Sequence, residues 1–477
     1  MYETLLRYSR PTPRYTSYPT APAFHEGFGE SEYLQLLAGV ERAHRPLSLY
    51  FHIPFCRHIC YYCACNVVYT ANRKRSVPYL NAVTREMDLV QARLAGHRDA
   101  TGRLISRPVR QVHFGGGTPG FLSPDLFRVF FRNISDRFLI APNAECSVEL
   151  DPREYSDDLL DAFAECGFRR ASLGVQDLDP RVQRAVNRVQ SFAEIRDLVE
   201  KLRARGFRGI NFDLIYGLPL QTVESFARTV DSVLELRPDR LSLFQFAYLP
   251  DLKQHQRRID AGSLPASVER IRILDHAIER LTAAGYIYIG MDHFALPSDG
   301  LAVAQRAGRL RRNFQGYTTA FDAPAGEPST ADDECDLLAF GVSAIGDLRE
   351  AYVQNTRDVQ TYEAKLAADQ LPVERGFVLN SEDVERRRII MQLLCHFEQE
   401  FDAAFRARYA AEILELEGFR AEGLVEIDEY DSRAPGESSG RIRVTPAGRF
   451  VIRNICAVFD GYLQRLQARG QRFSQSV

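Results

Sequence analysis

The sequence predicts an α/β protein in which six β-then-α units form a partial (β/α)6 barrel. An N-terminal extension precedes the barrel, and a smaller, mainly helical C-terminal domain follows it. Three observations carry this prediction. Between Pro46 and Pro250 short β-rich runs alternate with helical stretches, each closed by Gly, Pro or polar punctuation. That alternation implies parallel strands with right-handed crossovers. The strand runs end in polar or Gly-rich residues, at the place where barrel enzymes build their sites, although turn chemistry alone favours the same residue types. From about residue 371 the pattern becomes helix, helix, hairpin, which is winged-helix-like.

Taken in order, the candidate strands are Leu47–Ile53, Val109–Phe114, Glu145–Leu150, Arg170–Val175, Ile210–Ile215 and Arg240–Phe246. Helical periodicity covers Val77–Leu94, Pro124–Phe138, Ser156–Cys166, Phe192–Arg205 and Thr222–Leu236. Most strands read as apolar on both faces near their ends, as expected under a layer of helices. Past Pro250 come a helix (Ser267–Ala284), the run Tyr286–Leu296, a basic stretch Arg306–Arg312 and an acidic, Pro/Gly/Ala-rich loop Phe321–Glu334. Helices at Ser381–Phe397 and Tyr409–Glu417 then precede Gly423–Tyr430, a polar turn Asp431–Gly440, Arg441–Thr445 and a last helix. The expected divisions are an extension over the active site (1–45), the barrel (46–285), a connecting substrate-site region (286–370) and the C-terminal domain (371–477).

Composition narrows the function. The 477 residues carry 60 Lys and Arg against 63 Asp and Glu, a net charge of −3, so there is no electrostatic case for nucleic acid. Residues 398–430 are markedly acidic, which argues against DNA binding through the winged-helix-like tail. No run of 18 apolar residues occurs, and Arg7, Arg10 and Arg14 interrupt the start. No membrane partner and a cytoplasmic location are expected. Of nine cysteines, Cys146, Cys166, Cys335, Cys395 and Cys456 are scattered and read as core packing. Cys56, Cys60, Cys63 and Cys65 lie within ten residues, a spacing that points to metal rather than to a disulfide framework.

Soft thiolates bind zinc or iron–sulfur clusters. Structural zinc normally joins two separated pairs, and no second Cys-x2-Cys or His-x3-5-His lies downstream. The spacing Cys56-x3-Cys60-x2-Cys63 therefore favours three corners of a cubane with one iron left open; zinc and plain packing are the alternatives. Cys65 is either a fourth ligand or a neighbour. One-residue spacing would aim Cys63 and Cys65 apart on an extended chain, which favours the neighbour.

Gly115-Gly-Gly-Thr-Pro-Gly120 formally matches a dinucleotide fingerprint, but Pro119 removes a backbone donor from the turn. A bare backbone that hydrogen-bonds an amino-acid-like group is the favoured reading. Glu149, Gln176, Arg188 and Asp213 stand at or just after strand ends. Each alone suits a cap or a solvated side chain. Together on one barrel face they suit a ribose, an ammonium and a carboxylate. The basic stretch Arg306, Arg309, Arg311 and Arg312 is either a solvated helix face or a carboxylate-binding patch.

The loop Cys56-Arg-His-Ile-Cys60-Tyr-Tyr-Cys63 resembles the radical S-adenosylmethionine (SAM) superfamily. Further motifs narrow the likeness: Arg14-Tyr-Thr-Ser-Tyr-Pro-Thr20, Cys63-Ala-Cys65, Gly174-Val-Gln-Asp177, Asp213-Leu-Ile-Tyr-Gly-Leu-Pro219 and Asn313-Phe-Gln-Gly-Tyr-Thr-Thr319. From about Arg14 onward the chain resembles the oxygen-independent coproporphyrinogen III oxidases (dehydrogenases), with a radical-SAM partial barrel. Tyr62 stands where that family commonly has Phe, and Ala64 replaces a common Gly. The loop Phe321–Glu334 is longer than usual, and the spacing from Ile345 to Tyr352 is shorter.

The resemblance implies a [4Fe-4S] cluster on Cys56, Cys60 and Cys63 and two SAM molecules. One SAM would meet the open iron, Tyr50, Tyr62, Gly116, Glu149 and Ile345. The other would meet Gly117, Thr118, Gln176, Arg188, Asp213 and Ala247. It implies a radical SAM oxidoreductase of haem biosynthesis that converts the ring A and B propionates of coproporphyrinogen III to vinyl groups, giving protoporphyrinogen IX. An electron donor such as flavodoxin or ferredoxin and a monomeric chain are implied too. The rival is a radical-SAM-like haem chaperone, but such relatives generally begin near the first strand and lack the Tyr15-Thr-Ser-Tyr-Pro stretch and the Cys65 pattern. Lying before the first strand, that stretch is expected to order substrate and to be dispensable for folding.

Overall fold

The computed structural model describes residues 2–319, 335–430, 440–471 and 473–476. The Phe321–Glu334 loop and residues 431–439 of the polar turn lie outside the described residues. Two compact units emerge: the described parts of His25–Pro265 with Phe321–Val378, and those of Met1–Phe24, Ala266–Ala320 and Leu379–Val477.

In the first unit the six expected strands are β1 (Leu47–Ile53), β2 (Leu104–Gly116), β3 (Phe138–Leu150), β4 (Arg170–Gln176), β5 (Gly209–Tyr216) and β6 (Arg240–Gln245). Each pairs in parallel with the next. The crossovers carry α1 (Ser76–Arg93), α2 (Pro124–Arg137), α3 (Asp157–Glu165), a short α4 (Pro180–Ala185), α5 (Phe192–Ala204) and α6 (Val223–Leu236). Ser123, Ser156, Ser191 and Thr222 cap α2, α3, α5 and α6, their hydroxyls accepting from backbone N–H groups of the first turn. Such caps explain why the helix starts were legible.

Four more strands extend the sheet beyond β1: β7 (Asp336–Phe340), parallel to β1, then β8 (Ile345–Asp347), β9 (Ala351–Asn355) and β10 (Val373–Val378), all antiparallel. The sheet order in this unit is β10-β9-β8-β7-β1-β2-β3-β4-β5-β6. A helix, α7 (Val359–Ala367), joins β9 to β10. The sequence pattern does not predict β7, a short apolar run with no turn signal of its own.

The expectation that the strands are apolar on both faces does not hold. They alternate. Leu49, Phe51 and Ile53 of β1, Val112 and Phe114 of β2, and Phe212 and Leu214 of β5 are fully buried. Phe51 and Phe114 pack on Phe130 of α2, with ring centroids 5.5 and 6.0 Å apart. The alternate positions are polar: Tyr50 and His52, Gln111 and His113, Ser147 and Glu149, Ser172, Asn211 and Asp213, and Ser242. The inner face is therefore polar, unlike the apolar layers of a purely packed barrel.

One buried ion pair ties β2 to β7. The Arg107 and Asp336 side chains are 1% and 0% exposed and in direct contact, and Arg107 Nε also donates to the Arg45 carbonyl at 2.9 Å.

The second unit has its own core, in which Tyr15 and Tyr18 sit with Ile389, Leu393, Tyr409, Ile455 and Phe459. Tyr15 Oη donates to Asp460 at 3.1 Å, the Gly461 N–H donates to Tyr18 Oη at 3.1 Å, and Arg453 Nε donates to the Pro13 carbonyl at 3.0 Å. Buried aromatics of this size are among the most stabilising core residues. The Tyr15-Thr-Ser-Tyr stretch is thus part of this core, and the expectation that it is dispensable for folding is corrected. Helices Ser381–His396 and Ala410–Ala421 accompany a three-stranded sheet with Gly440–Val444 between Glu398–Phe401 and Val425–Glu429. The Glu-Gln-Glu-Phe composition of the first of these strands carried no strand signal. Among the described residues no helix is long and apolar enough to cross a membrane.

Removing one partner of a buried pair strands the other charge, whereas an apolar replacement of both does not. Arg107→Met alone should therefore destabilise the fold by about 3–5 kcal/mol. Arg107→Met combined with Asp336→Leu should recover most of that loss. Urea unfolding followed by circular dichroism measures both, and equal instability of the single and double variants would refute the argument.

Candidate active site

The cysteine loop leaves β1 at Ile53 and is laid against the Gly115–Gly120 loop that ends β2. Gly117 N–H donates to the Ile53 carbonyl at 2.8 Å, and Thr118 N–H donates to the Phe55 carbonyl at 3.0 Å. A Cβ on Gly117 would stand 2.6 Å from the Phe55 carbonyl oxygen and 3.0 Å from Cys56 Sγ. Gly116 has φ +116°, and a Cβ there would meet the His52 ring at 2.9 Å. These glycines serve close approach of the chain to itself, to the cysteine loop and the His52 ring, and the Gly116 and Gly117 N–H groups are taken up by Glu149 and the Ile53 carbonyl rather than left bare for an amino-acid-like group. Thr118 Oγ1 accepts from the N–H groups of Gly120 and Asp151 at 3.3 and 3.4 Å, tying the ends of β2 and β3 together.

Glu149 stands on the inner face at the end of β3. Gly116 N–H donates to it at 3.0 Å, and His113 Nε2 lies 3.3 Å from its other oxygen. Burial works against its ionisation, but His113 and the Gly116 N–H win and hold the carboxyl below its usual range. Tyr50 stacks on His113 with centroids 5.8 Å apart, and its hydroxyl lies 3.0 Å from His52 Nδ1. Asp213 accepts from Ser172 Oγ at 2.9 Å and Asn211 Nδ2 at 2.8 Å. Burial, with the charge of Glu149 adding to it, pushes Asp213 up to about 6. One wall therefore offers an ionised carboxylate and a second one poised near neutrality, a pairing suited to an ammonium group and to hydroxyls.

Gln176 ends β4 with φ +67°, at a register irregularity between Gly174 and Gln176. Arg188 is buried and engaged on both edges. Its Nε donates to the Gly174 carbonyl at 3.2 Å, and Nη1 donates to Asp151 at 3.0 Å and to Cys60 Sγ at 3.4 Å. It acts in this arrangement as a fixed cation rather than an open fork for a carboxylate. Gln256, wholly buried, donates to the carbonyls of both Tyr62 and Ala247, at 3.0 and 3.1 Å. Ile345 opens β8 opposite Gln354, and β7 lies between β8 and Tyr50 on β1. The strand register does not itself bring Ile345 beside the other candidates.

Cys56 and Cys63 are half-buried, Cys60 is buried and Cys65 exposed. The chain bends at Cys65, so the expected divergence of Cys63 and Cys65 does not occur. Instead the two cysteines interact, and Cys65, with the nearby His255 and Lys253, holds the Cys63 thiol below its usual range, while burial pushes Cys56 up. His255 Nε2 donates to the Cys63 carbonyl at 2.7 Å and Lys253 Nζ to the Cys65 carbonyl at 3.0 Å. Among the described residues no three His, Cys, Asp or Glu side chains converge as ligands of a single metal ion. Three thiolates on one tight loop, backed by N–H and cationic groups, are a donor set that suits an iron–sulfur cluster, whose ligands are spread over separate irons.

Sequence reasoning missed His52, His113, Asp151, Arg153 and Gln256. The inner-face alternation would have found the two histidines. The other three act through loops distant in sequence.

In the second unit the basic stretch divides. Arg306 donates to the Pro297 carbonyl at 2.8 Å. Arg312 is buried, lies 4.7 Å over the Tyr317 ring, and among the described residues has no hydrogen-bond partner for Nε and Nη1.

After anaerobic reconstitution, Cys65→Ala should keep iron near the about four atoms per chain of a cubane. Cys56→Ala, Cys60→Ala and Cys63→Ala should each lose it. Iron analysis decides, and an equal loss in Cys65→Ala would make Cys65 a ligand.

Comparison with known proteins places this geometry. The model of the Radical SAM superfamily matches residues 50–233. An oxygen-independent coproporphyrinogen III oxidase of Pseudomonas aeruginosa is 46% identical, with 100% of this chain and 98% of that protein covered. The protein of the same description from Escherichia coli K12 is 42% identical over 99% of this chain and 97% of its own length. A solved structure, coproporphyrinogen III oxidase (HemN) from Escherichia coli, described as a radical SAM enzyme, superposes with a TM-score of 0.85 at 40% identity, covering 96% of this chain and 98% of that one. With its thiolate loop, its glycine loop and its full length all matched, the chain belongs to the oxygen-independent coproporphyrinogen III oxidases of the radical SAM superfamily.

Proposed function

We propose that this enzyme carries out the anaerobic oxidative decarboxylation of the ring A and B propionates of coproporphyrinogen III, giving protoporphyrinogen IX for haem synthesis. The observation that carries the proposal is the docking of the Cys56–Cys63 loop on Gly116–Thr118, beside the carboxylates of Glu149 and Asp213. Cys56, Cys60 and Cys63 hold a [4Fe-4S] cluster, and SAM binds next to it. When bound, these cofactors supply the one-electron chemistry that takes a hydrogen from the propionate side chain.

The chain's own residues bind and orient. Glu149, kept ionised by His113 and Gly116, accepts hydrogen bonds from the ammonium or ribose hydroxyls of one SAM, and Tyr50 and Tyr62 flank it. Gly116 and Gly117 let the cysteine loop and the His52 ring pack directly against this turn. A second SAM is assigned to Gly117, Thr118, Gln176, Asp213 and Ala247, with Arg188 supplying positive charge behind them. The alternating strands exclude water on the helix side through Phe51, Phe114 and Phe130. A one-electron donor such as flavodoxin or ferredoxin serves the cluster. The enzyme works as a cytoplasmic monomer without nucleic acid or membrane.

The carboxylates of the substrate need fixed cations. Arg312 has the chemistry for one of them, since among the described residues its Nε and Nη1 have no acceptor and Arg binds carboxylates in a fork. Arg312→Gln should weaken coproporphyrinogen III binding at least tenfold, about 1.4 kcal/mol, with iron content normal. Unchanged affinity would return Arg312 to a packing role over Tyr317.

The function itself is tested by reconstituting the enzyme anaerobically and supplying coproporphyrinogen III, SAM and a low-potential reductant. Protoporphyrinogen IX and carbon dioxide are expected. Tight haem binding with no turnover would favour the haem-chaperone reading instead.

A further inference from the structure

Arg153 lies on the turn after β3, outside the residues assigned to the cluster and to SAM. Its backbone N–H and Nε both donate to Asp151 Oδ1, at 3.0 and 2.9 Å, and its Nη2 donates to Asp151 Oδ2 at 2.6 Å. The same Nη2 donates to Cys60 Sγ at 3.3 Å. Arg188, from the loop after α4, meets the same two acceptors through Nη1, Asp151 at 3.0 Å and Cys60 Sγ at 3.4 Å. Two guanidinium groups therefore share one carboxylate and one sulfur. Their side chains are 14% and 7% exposed, and that of Asp151 14%. Asp151 stays ionised because Arg188 and Arg153 outweigh its burial.

The charge arithmetic of this group is two cations against one carboxylate. One positive charge is left over, and both guanidiniums aim N–H groups at the Cys60 sulfur. Hydrogen bonds to a thiolate that ligates an iron–sulfur cluster withdraw electron density from it and favour the reduced state. Low exposure keeps that effect from being screened by water. No comparable pair of cations donates to Cys56 or Cys63 Sγ among the described residues, so the effect is concentrated on one corner of the thiolate set.

We propose that Arg153 is a positioning residue that raises the reduction potential of the cluster through its N–H···S bond to Cys60, with Asp151 fixing the guanidinium in place. The proposal rests on the cluster being held by Cys56, Cys60 and Cys63. Arg188 shares the bond, but it also carries the Gly174 carbonyl and the candidate SAM site, which makes Arg153 the cleaner probe.

The test is a potentiometric titration of the reconstituted full-length enzyme, without SAM or substrate, read by electron paramagnetic resonance of the reduced cluster. Arg153→Gln removes the charge and the bidentate clamp. Arg153→Lys keeps the charge but loses the fork. Iron is measured in both. The Arg153→Gln midpoint should fall, the reduced form being disfavoured about tenfold, or about 59 mV for one electron. Arg153→Lys should fall by less. A wild-type midpoint in Arg153→Gln with full iron would overturn the proposal. So would loss of iron in both variants with the residual clusters at the wild-type midpoint, since Arg153 would then only hold the loop. Failure of the wild-type enzyme to take up a cluster at all would instead refute the functional reading on which the proposal stands.

Discussion

Two backbones meet at Gly117, and the site is built around that contact. The glycine N–H donates to Ile53, the next N–H donates to Phe55, and the Cys56 sulfur stands where a Cβ would intrude. Backbone pairing of this kind can be made at no other residue type without displacing the thiolate. It sets the cysteine loop at a defined height over the carboxyl ends of β1 and β2. Glu149 depends on it as well, since the Gly116 N–H that keeps this carboxylate ionised belongs to the same turn. Thr118 extends the arrangement to β3 through the Asp151 N–H. One turn thus places a thiolate, an amide donor and a carboxylate relative to one another before any ligand arrives, which is the kind of preorganisation that catalysis needs.

The strands under that turn are half apolar and half polar, and the polar half has its own requirements. Buried polar groups are tolerated only when they bond to one another. Here they do so along the inner face. His113 Nδ1 lies 2.7 Å from Ser147 Oγ, Asn211 Nδ2 donates to Ser172 Oγ at 2.8 Å, and Ser242 Oγ donates to Asn211 at 3.2 Å. An apolar interior would have given a more stable barrel, but it would have left no route for charged groups to reach the thiolates. Stability comes instead from the opposite face, where aromatic rings from the strands and α2 interlock, while the Arg107–Asp336 pair links β2 to β7.

What could be read from the sequence follows from these constraints. The β/α alternation was visible because α2, α3, α5 and α6 announce their starts with a Ser or Thr cap, and the cysteine and glycine loops were visible because their spacing is chemically unusual. The polar inner face was misread. Residues such as Ser48, Gln111 and Ser147 look like interruptions in apolar strands unless the period of two is followed along each of them. β7 escaped because Asp-Leu-Leu-Ala-Phe carries no periodicity, and only its pairing with β1 makes it a strand. Tyr15 and Tyr18 precede the first strand, so the sequence alone suggests a substrate-ordering segment that folding does not need. Their partners, Asp460 and Gly461, lie more than 440 residues away, and no local pattern records such a contact.

Long-range assembly also explains why the environment of the thiolates was harder to foresee than the thiolates themselves. Three sulfurs close together repel one another as anions, so the loop needs compensating donors if all three are to ligate. Those donors come from separate places: Arg153 after β3, Arg188 after α4, and Lys253 and His255 beyond β6. Each enters from the carboxyl end of a different part of the barrel. A parallel sheet brings such ends to one rim whatever their distance in sequence. The Cys-x3-Cys-x2-Cys spacing therefore states what kind of group is bound, while the electrostatics that make the binding workable are distributed over about 200 residues of chain and appear only when the strands are aligned.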